Sequence, residues 1–463
     1  MKIIRNPDLL VLRILGEPAV FKNQNKRLLE TLIMVEVEDG LLVLNGLTRA
    51  IVLLDREEIE DFDKLWDINT YEFLHKNYFI VDEDFDEWEA FEKVRKLKRK
   101  PIDDLYLNHP TSYTIFTTTK CNARCFYCYE LGMKNKKDMS VKTAKKVADY
   151  ILKATPTNVP ANIAWFGGEP LYNAKVINEI CDYLRDNGKE FYSSITTNGY
   201  LFDKKLVKKA KNSWKLTRAQ ITIDGTEKVY NTTKRYVYKD KMSPYKKVMK
   251  SIEALLEEYI KVHVRINVDL YNLEDTKLLI KELHERFKES KEIFVYVWPI
   301  FQEGIDNIKE KRTEEDNIKL YNGLNEIEDL IVSLGFPPTK KPLENLSHNQ
   351  CMADDGESIM FLPDGDIGLC EHFGDSHFIS HIDDFSNKDF DEIRHWNEYI
   401  NNKELCHDCP ILGECNSLKA CKELGICDPF KKEWNIKRYV LGLLDIYKNF
   451  KKTTITDGNI KRF

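Results

Sequence analysis

Apolar positions along this chain keep different rhythms in different stretches, and the rhythms predict its elements. Over residues 1 to about 100 the apolar runs are short and broken by turn formers. Ile33–Val37 and Leu41–Leu44, split by Asp39-Gly40, predict a β-hairpin. Leu47–Leu54 adds an apolar run and the acidic Asp55–Asp63 follows. Thr70–Phe79 then takes helical spacing, ending in the apolar Tyr78-Phe79-Ile80-Val81. The expectation is a small α+β unit.

From Ser112 to about Trp298 the rhythm alternates. Strand-like runs fall at Tyr113–Thr118, Asn162–Phe166, Tyr192–Thr197, Ala219–Ile223, Val262–Val268 and Ile293–Val297. Helical stretches lie between them at Val141–Lys153, Ala174–Asn187, Lys204–Asn212, Lys246–Tyr259 and Leu273–Phe287. This alternation predicts an α/β fold with parallel strands and crossover helices. Parallel barrels gather their chemistry at the C-terminal ends of the strands. Residues 302 to about 345 are charged and helical, broken at Pro337-Pro338, and read as a bridge. Beyond them, Phe361–Cys370 predicts a hairpin about a Pro-Asp-Gly turn.

Composition narrows the classes. At 463 residues the chain has room for two or three domains, and 42% hydrophobic with 32% charged residues is ordinary for a soluble protein. A net charge of −6 gives no nucleic-acid footprint, and the basic run Lys93–Lys100 reads as a solvated face. No apolar segment reaches membrane-spanning length, and the opening MKIIRNPDLL lacks the apolar stretch of a secretion signal. A cytoplasmic protein without nucleic-acid or membrane partners is expected. In a reducing compartment clustered cysteines bind metal more often than they pair. Of the eleven cysteines, three share one loop, seven crowd between Cys351 and Cys427, and Cys181 stands alone in a helical stretch, as a small core residue would.

The loop is the sharpest signal. Cys121, Cys125 and Cys128 form C-x-x-x-C-x-x-C after the β-prone Tyr113–Thr119, with Tyr127 before the last cysteine. Fe–S clusters normally take four cysteines, so three leave one iron open to an exchangeable ligand. Structural zinc wants a complete tetrahedral set, which this loop does not provide. After the next strand, Gly167-Gly168-Glu169-Pro170-Leu171 offers close backbone approach to a ligand and a carboxylate for an ammonium group. Thr197-Asn198-Gly199, Ile221-Thr222-Ile223-Asp224-Gly225, Arg235 and Arg265–Asp269 follow in order.

This ordered set resembles the radical S-adenosylmethionine (SAM) superfamily. The resemblance implies a partial (β/α)6 TIM-like barrel with a [4Fe–4S] cluster on Cys121, Cys125 and Cys128. It also implies SAM held by Tyr127, Gly167, Gly168, Glu169, Thr197, Asn198, Thr222, Arg235 and Asn267. Among these, Glu169 would take the SAM amino group, Thr197-Asn198 its ribose and methionine, Arg235 its carboxylate and Asn267 the adenosyl moiety. Asn267 capping its own strand is the plainer alternative.

The C-terminal series Cys351, Gly365, Cys370, Cys406, Cys409, Cys415, Cys421 and Cys427 resembles the seven-cysteine SPASM domain of peptide- and sulfatase-maturing radical SAM enzymes. The five residues between Cys415 and Cys421 depart from the usual three. The resemblance implies two auxiliary [4Fe–4S] clusters, the first on Cys351, Cys370 and Cys421 and the second on Cys406, Cys409, Cys415 and Cys427. That makes three clusters in all. Two structural zincs are the alternative for this field. Glu371, beside Cys370, is a candidate catalytic proton acceptor by the same resemblance. Leu41–Asp55 (LLVLNGLTRAIVLLD) resembles the opening of PqqD-like domains, which bind a precursor leader by strand addition. A docking subdomain that recognises nothing is the alternative.

The expected organisation is an α+β N-terminal domain over 1–100, the partial barrel over 108–305 and a helical bridge over 306–345. An Fe–S-binding SPASM domain over 346–430 and a C-terminal helix over 431–463 complete it. The implied activity is an oxidative crosslink in a ribosomally made precursor peptide, made through a 5′-deoxyadenosyl radical. A Cys thioether is favoured and a C–C bond is possible. The implied partners are a precursor peptide with its leader and a reductase or flavodoxin/ferredoxin-type electron donor. The alternatives are a sulfatase-maturing (formylglycine-generating) enzyme, a peptide epimerase with Cys181 as hydrogen donor, and a non-catalytic leader-binding or electron-transfer scaffold.

Overall fold

The computed structural model of the protein describes residues 1–463 apart from 19–25, 56–57, 59–67, 133–135, 239, 301–310, 347–350, 374–375, 400–402, 416–417, 422–426 and 459–463. Its N-terminal strands are β1 (Lys2–Arg5), β2 (Lys26–Leu28), β3 (Leu32–Val37), β4 (Gly40–Asn45), β5 (Ile51–Leu54) and β6 (Ile80–Asp82). β1, β5, β4 and β3 make an antiparallel sheet in that order, and β2 pairs with β6. The predicted hairpin forms, but its two-residue turn is Glu38-Asp39, and Gly40 already pairs with Val37 as the first residue of β4. The apolar run Leu47–Leu54 is not one strand: the Asn45 side chain accepts from Leu47 N and Thr48 N, and the strand restarts at Ile51. Most of the acidic stretch 55–63 lies outside the described residues.

The alternating middle builds six strands: β7 (Ser112–Thr118), β8 (Ala161–Gly167), β9 (Phe191–Thr197), β10 (Leu216–Thr222), β11 (Lys261–Val268) and β12 (Ile293–Pro299). All five pairings between them are parallel, in the order β12-β11-β10-β9-β8-β7. The expected crossover helices are Val141–Ala154, Ala174–Asp186, Lys204–Asn212, Pro244–Glu257 and Leu273–Phe287, and a short helix, Glu227–Lys234, precedes the fourth of them. Each buries a stripe, as Ala144, Val147, Ala148 and Ile151 do in the first. The helix expected from Lys246 begins two residues earlier because Pro244, with φ preset and no N–H to lose, opens its first turn. Cys181 is fully buried in this core.

One pairing was not visible in the rhythm. β13 (Ser358–Phe361) adds in parallel to the free side of β7 and turns into β14 (Asp366–Gly368), which pairs with β15 (Phe378–His381). A single nine-stranded sheet results, and it carries Cys370, just past β14, toward the loop that follows β7. In the bridge, residues 306–310 lie outside the described residues, and Glu314–Ser333 is a helix opened by a Thr313/Asp316 capping box. The last helix, Pro429–Gly458, lays Tyr439, Leu443 and Tyr447 on Ile33, Leu42, Leu44, Ile51 and Leu53 of the N-terminal sheet. Among the described residues no helix is long and apolar enough to cross a membrane.

Candidate functional site

The cysteine loop is pinned where β7 ends. Thr119 N donates to Lys137 O at 2.9 Å, Gly168 N to Thr118 O at 3.1 Å and Glu169 N to Lys120 O at 2.9 Å. From another side Arg124 N donates to Lys234 O at 2.8 Å and Val237 N to Asn122 O at 2.9 Å. The two glycines serve this seating. A Cβ on Gly167, whose φ is +116°, would lie 2.1 Å from Thr118 O, and one on Gly168 would lie 2.4 Å from Lys120 O. Close approach was expected toward a ligand. The structure uses it for the protein's own loop.

Burial pushes the Cys121 and Cys128 thiols up to about 12, with Glu169 adding to the first and Glu130 to the second. Burial also raises Cys125, while Lys234 pulls it back. Cys121 is further raised by charge on Cys125 and Cys128, and Cys128 by charge on Cys125, so the three sulfurs lie within electrostatic reach of one another.

Around them the strand ends supply polar groups. Glu169 is fully buried, its Oε1 accepting from Thr197 Oγ1 at 2.7 Å and Leu171 N at 3.1 Å, and its Oε2 from Asn198 N at 2.9 Å. Burial still lifts its carboxyl to about 7, so it gains from any cation brought beside it. Asn198 Nδ2 donates to Asn122 Oδ1 at 2.7 Å and lies 3.9 Å from Cys121 Sγ. Thr222 closes β10, half-buried. Asn267 donates its backbone N–H to Asp224 Oδ1 at 3.2 Å, and its side chain accepts from Arg265 Nε at 2.9 Å.

The structure brings in a group that motif spacing missed. Tyr127 OH donates to Asp224 Oδ2 at 2.5 Å, and Lys234 Nζ stands 2.8 Å from that hydroxyl and 2.9 Å from Asp224. Burial works against the Lys234 charge, but Asp224 and Cys125 outweigh it and hold the ammonium protonated. Arg235, expected to meet a carboxylate, is exposed, with its Nε donating to Thr232 O at 3.3 Å. The buried cation is one residue earlier. A positive φ of 48° at Arg235, where the preceding helix ends, turns the two side chains apart.

The second cysteine field separates into two groups. Cys351 and Cys370 each feel charge on Cys421, and Cys370 on Cys351. Cys409 and Cys427 each feel Cys406 and Cys415, and Cys406 feels Cys415. Burial is the first cause raising Cys351 and Cys409 to about 12 and Cys427 to about 11. Glu371 raises both Cys351 and Cys370, and its carbonyl accepts from Tyr129 OH at 3.4 Å. Tyr129, next to Cys128, stacks on His372 with ring centroids 4.9 Å apart. That stack joins the barrel loop to the Cys370 hairpin.

The fit to cofactors was tested on these groups. Buried thiols that raise one another keep their protons until a metal cation displaces them. Among the described residues no three His, Cys, Asp or Glu side chains are set to hold a single ion. An Fe–S cluster asks something different, since it spreads its thiolates over several irons. Beside the loop, Asn122 Nδ2 and Glu130 Oε2 are buried without a partner, which leaves capacity for a polar ligand. The loop fits a three-cysteine [4Fe–4S] cluster with SAM beside Glu169.

An iron–sulfur enzyme with its open cluster at the strand ends of a parallel sheet is the class these features define. The Radical SAM superfamily profile matches residues 115–283. Uncharacterized protein MJ0907 of Methanocaldococcus jannaschii is 30% identical over 258 residues, 55% of this chain and 82% of that protein. Radical SAM cyclopropyl synthase TigE of Paramaledivibacter caminithermalis is 23% identical over 422 residues, 85% of this chain and 82% of that one. Among solved structures, Streptococcus suis SuiB bound to precursor peptide SuiA matches with a TM-score of 0.50 and 18% identity, over 88% of this chain and 99% of that one. The chain belongs to the radical SAM superfamily and is one of its enzymes.

Proposed function

We propose that this enzyme closes an oxidative crosslink in a ribosomally made precursor peptide, with a peptide cysteine sulfur as one partner. The observation that carries the reading is the division of the C-terminal cysteines into a trio, Cys351, Cys370 and Cys421, and a quartet, Cys406, Cys409, Cys415 and Cys427. As an SPASM-type field, the quartet closes one auxiliary [4Fe–4S] cluster. The trio leaves another with an open iron where a substrate thiolate can bind. The Tyr129–His372 stack joins the segments that carry Cys128 and Cys370, which supports a substrate held between them.

When bound, the SAM cluster and SAM supply a 5′-deoxyadenosyl radical that takes a hydrogen from an unactivated carbon. Glu169 orients the SAM ammonium, with Thr197 and Asn198 N fixing its carboxylate. Tyr127, Asp224 and Lys234 hold the loop's other wall. Glu371 stands beside Cys370 to accept the proton released as the bond closes. The N-terminal sheet would take the leader along β3, whose sole partner among the described residues is β4. A reductase, or a flavodoxin- or ferredoxin-type donor, would supply the priming electron.

The likeness to TigE over 85% of this chain favours a second reading, in which the bond closed is C–C. The test is anaerobic reconstitution followed by reaction with SAM, reductant and a displayed peptide library with and without cysteine. Three clusters mean about 12 Fe per chain, falling by about one-third in Cys121→Ala/Cys125→Ala/Cys128→Ala. Products lacking two hydrogens and one free thiol support the thioether. Such products from cysteine-free peptides favour C–C closure. Iron for one cluster, with zinc in the C-terminal field, overturns both the electron path and the thiolate site.

A further inference from the structure

A groove of about 1040 Å³ runs between the helix Glu87–Lys98 and the segment Arg394–Tyr399, and the chemistry described so far does not use it. Seven of the side chains that line it are lysine or arginine and three are glutamate, in a chain whose net charge is −6. Arg95, Lys100, Arg394 and Lys419 pair with Glu92, Glu357, Asp391 and Glu398, so the local cationic field rests on Lys93, Lys96 and Arg99. Lys93 and Lys96 stand exposed on its helix wall. Arg95 and Arg99 lie over the Tyr399 ring, their guanidinium carbons 4.8 and 4.2 Å from its centroid.

What lies beneath gives the groove its meaning. Tyr399 OH donates to Asp354 Oδ2 at 2.7 Å, and Asp354 Oδ1 accepts from Cys351 N at 3.1 Å. A short hydrogen-bonded path thus leads from the groove to one cysteine of the trio. On its other side Arg95 acts electrostatically on Cys406, a cysteine of the quartet. This cationic cleft is therefore joined by hydrogen bonds to the trio and, through Arg95, by charge to the quartet.

We propose that this groove docks a small acidic one-electron carrier protein, which collects the electron released at each bond closure from the auxiliary clusters. The proposal rests on the cluster assignment of the preceding section. In the step a reduced auxiliary [4Fe–4S] centre loses one electron and the oxidised carrier gains it, with no bond made or broken. Opposite charge on groove and carrier speeds encounter and orients the carrier over Tyr399.

The experiment uses the reconstituted holoenzyme, reduced with dithionite and then freed of it. Oxidised plant-type [2Fe–2S] ferredoxin, an acidic carrier, is the probe, and an uncharged quinone is the control oxidant. Stopped-flow mixing of Lys93→Glu/Lys96→Glu should show ferredoxin reduction slowed about tenfold, with its ionic-strength dependence lost. The quinone reaction and iron content should match wild type. An equal ferredoxin rate in wild type and variant overturns the proposal. So does an equal fall in Lys205→Glu/Lys208→Glu, on a different helix. Binding of labelled ferredoxin to the oxidised reconstituted protein, weakened by the groove variant alone, gives a readout that needs no electron transfer. About 4 Fe per chain with that binding intact would fail the cluster assignment and leave the docking surface standing. About 12 Fe without that binding would fail the docking surface alone.

Discussion

The two cysteine regions are held in opposite ways. The barrel loop hangs from distant parts of the chain, with backbone bonds to Lys137, Glu169, Lys234 and Val237. Among the described residues the quartet region carries short local turns, Cys409 N to Cys406 O and Cys415 N to Leu412 O, with Glu414 anchored from outside by Arg49 and Tyr439. A buried ion pair sits beside each region, Asp224–Lys234 in the barrel and Arg49–Glu414 under the C-terminal field. Regular strand ends can shape a metal site before the metal arrives. Short local turns take more of their shape from it.

The largest expected effect is on chemistry alone. Cys121→Ala/Cys125→Ala/Cys128→Ala should abolish 5′-deoxyadenosine formation while hydrogen exchange in β7 to β12 stays at wild-type levels. Loss of that protection would break the contrast, because the loop would then be holding the sheet. Chelating the iron proposed for the second region should do the reverse there. Exchange should rise across residues 403–428 and stay low in the barrel strands, read by mass spectrometry.

The two ion pairs sharpen the contrast. Glu414→Ala strands the buried Arg49 guanidinium and also removes the acceptor of Tyr439 OH at 2.6 Å. Lys234→Met strands Asp224. Each should cost about 3–5 kcal/mol in urea unfolding. Iron should be lost from the proposed C-terminal clusters in the first variant and from the loop after β7 in the second. The same loss pattern in both would show the regions to be one cooperative unit.

A smaller effect is expected from pH. Burial holds Glu169 at about 7 when folded, above the ordinary carboxylate range it returns to on unfolding. A raised carboxyl stabilises the fold while protonated. That contribution is full below the unfolded pKa and is lost as pH rises toward 7. Glu169→Gln should flatten part of this fall in urea midpoints, leaving the slope from Glu130, which burial also holds at about 7. An unchanged slope would mean Glu169 is already charge-compensated. Smallest of all, Arg235→Ala should shift stability by less than about 0.5 kcal/mol and leave SAM affinity near wild type. A large loss of affinity would return to Arg235 the role that its exposure argues against.

Much of the fold could be read from spacing. Lys204–Asn212 and Leu273–Phe287 run where the helical periodicity put them, and the parallel strands end within a few residues of expectation. What escaped was long-range. The pairing of β13 with β7 depends on a connection from another domain, and no local pattern encodes it. Lys234 escaped because Arg235 is the better textual match for a carboxylate-binding residue, and only the left-handed turn at Arg235 decides between them. The basic run 93–100 read as a solvated face because its partner wall, Arg394–Tyr399, lies about 300 residues away in sequence. The division of the C-terminal cysteines into Cys351, Cys370 and Cys421 against Cys406, Cys409, Cys415 and Cys427 came from the SPASM resemblance and not from any local periodicity.

The last helix sets an order of events during synthesis. One face of the N-terminal sheet is covered by Tyr439, Leu443 and Tyr447. Residues 1–100 therefore leave the ribosome with that apolar face bare, and it stays bare until almost the whole chain has been translated. At roughly 5–20 residues per second the wait is on the order of tens of seconds. Through that interval the nascent sheet is a surface that chaperones, or another copy's terminal helix, are able to occupy. Truncating the chain before Tyr439 would make that temporary exposure permanent.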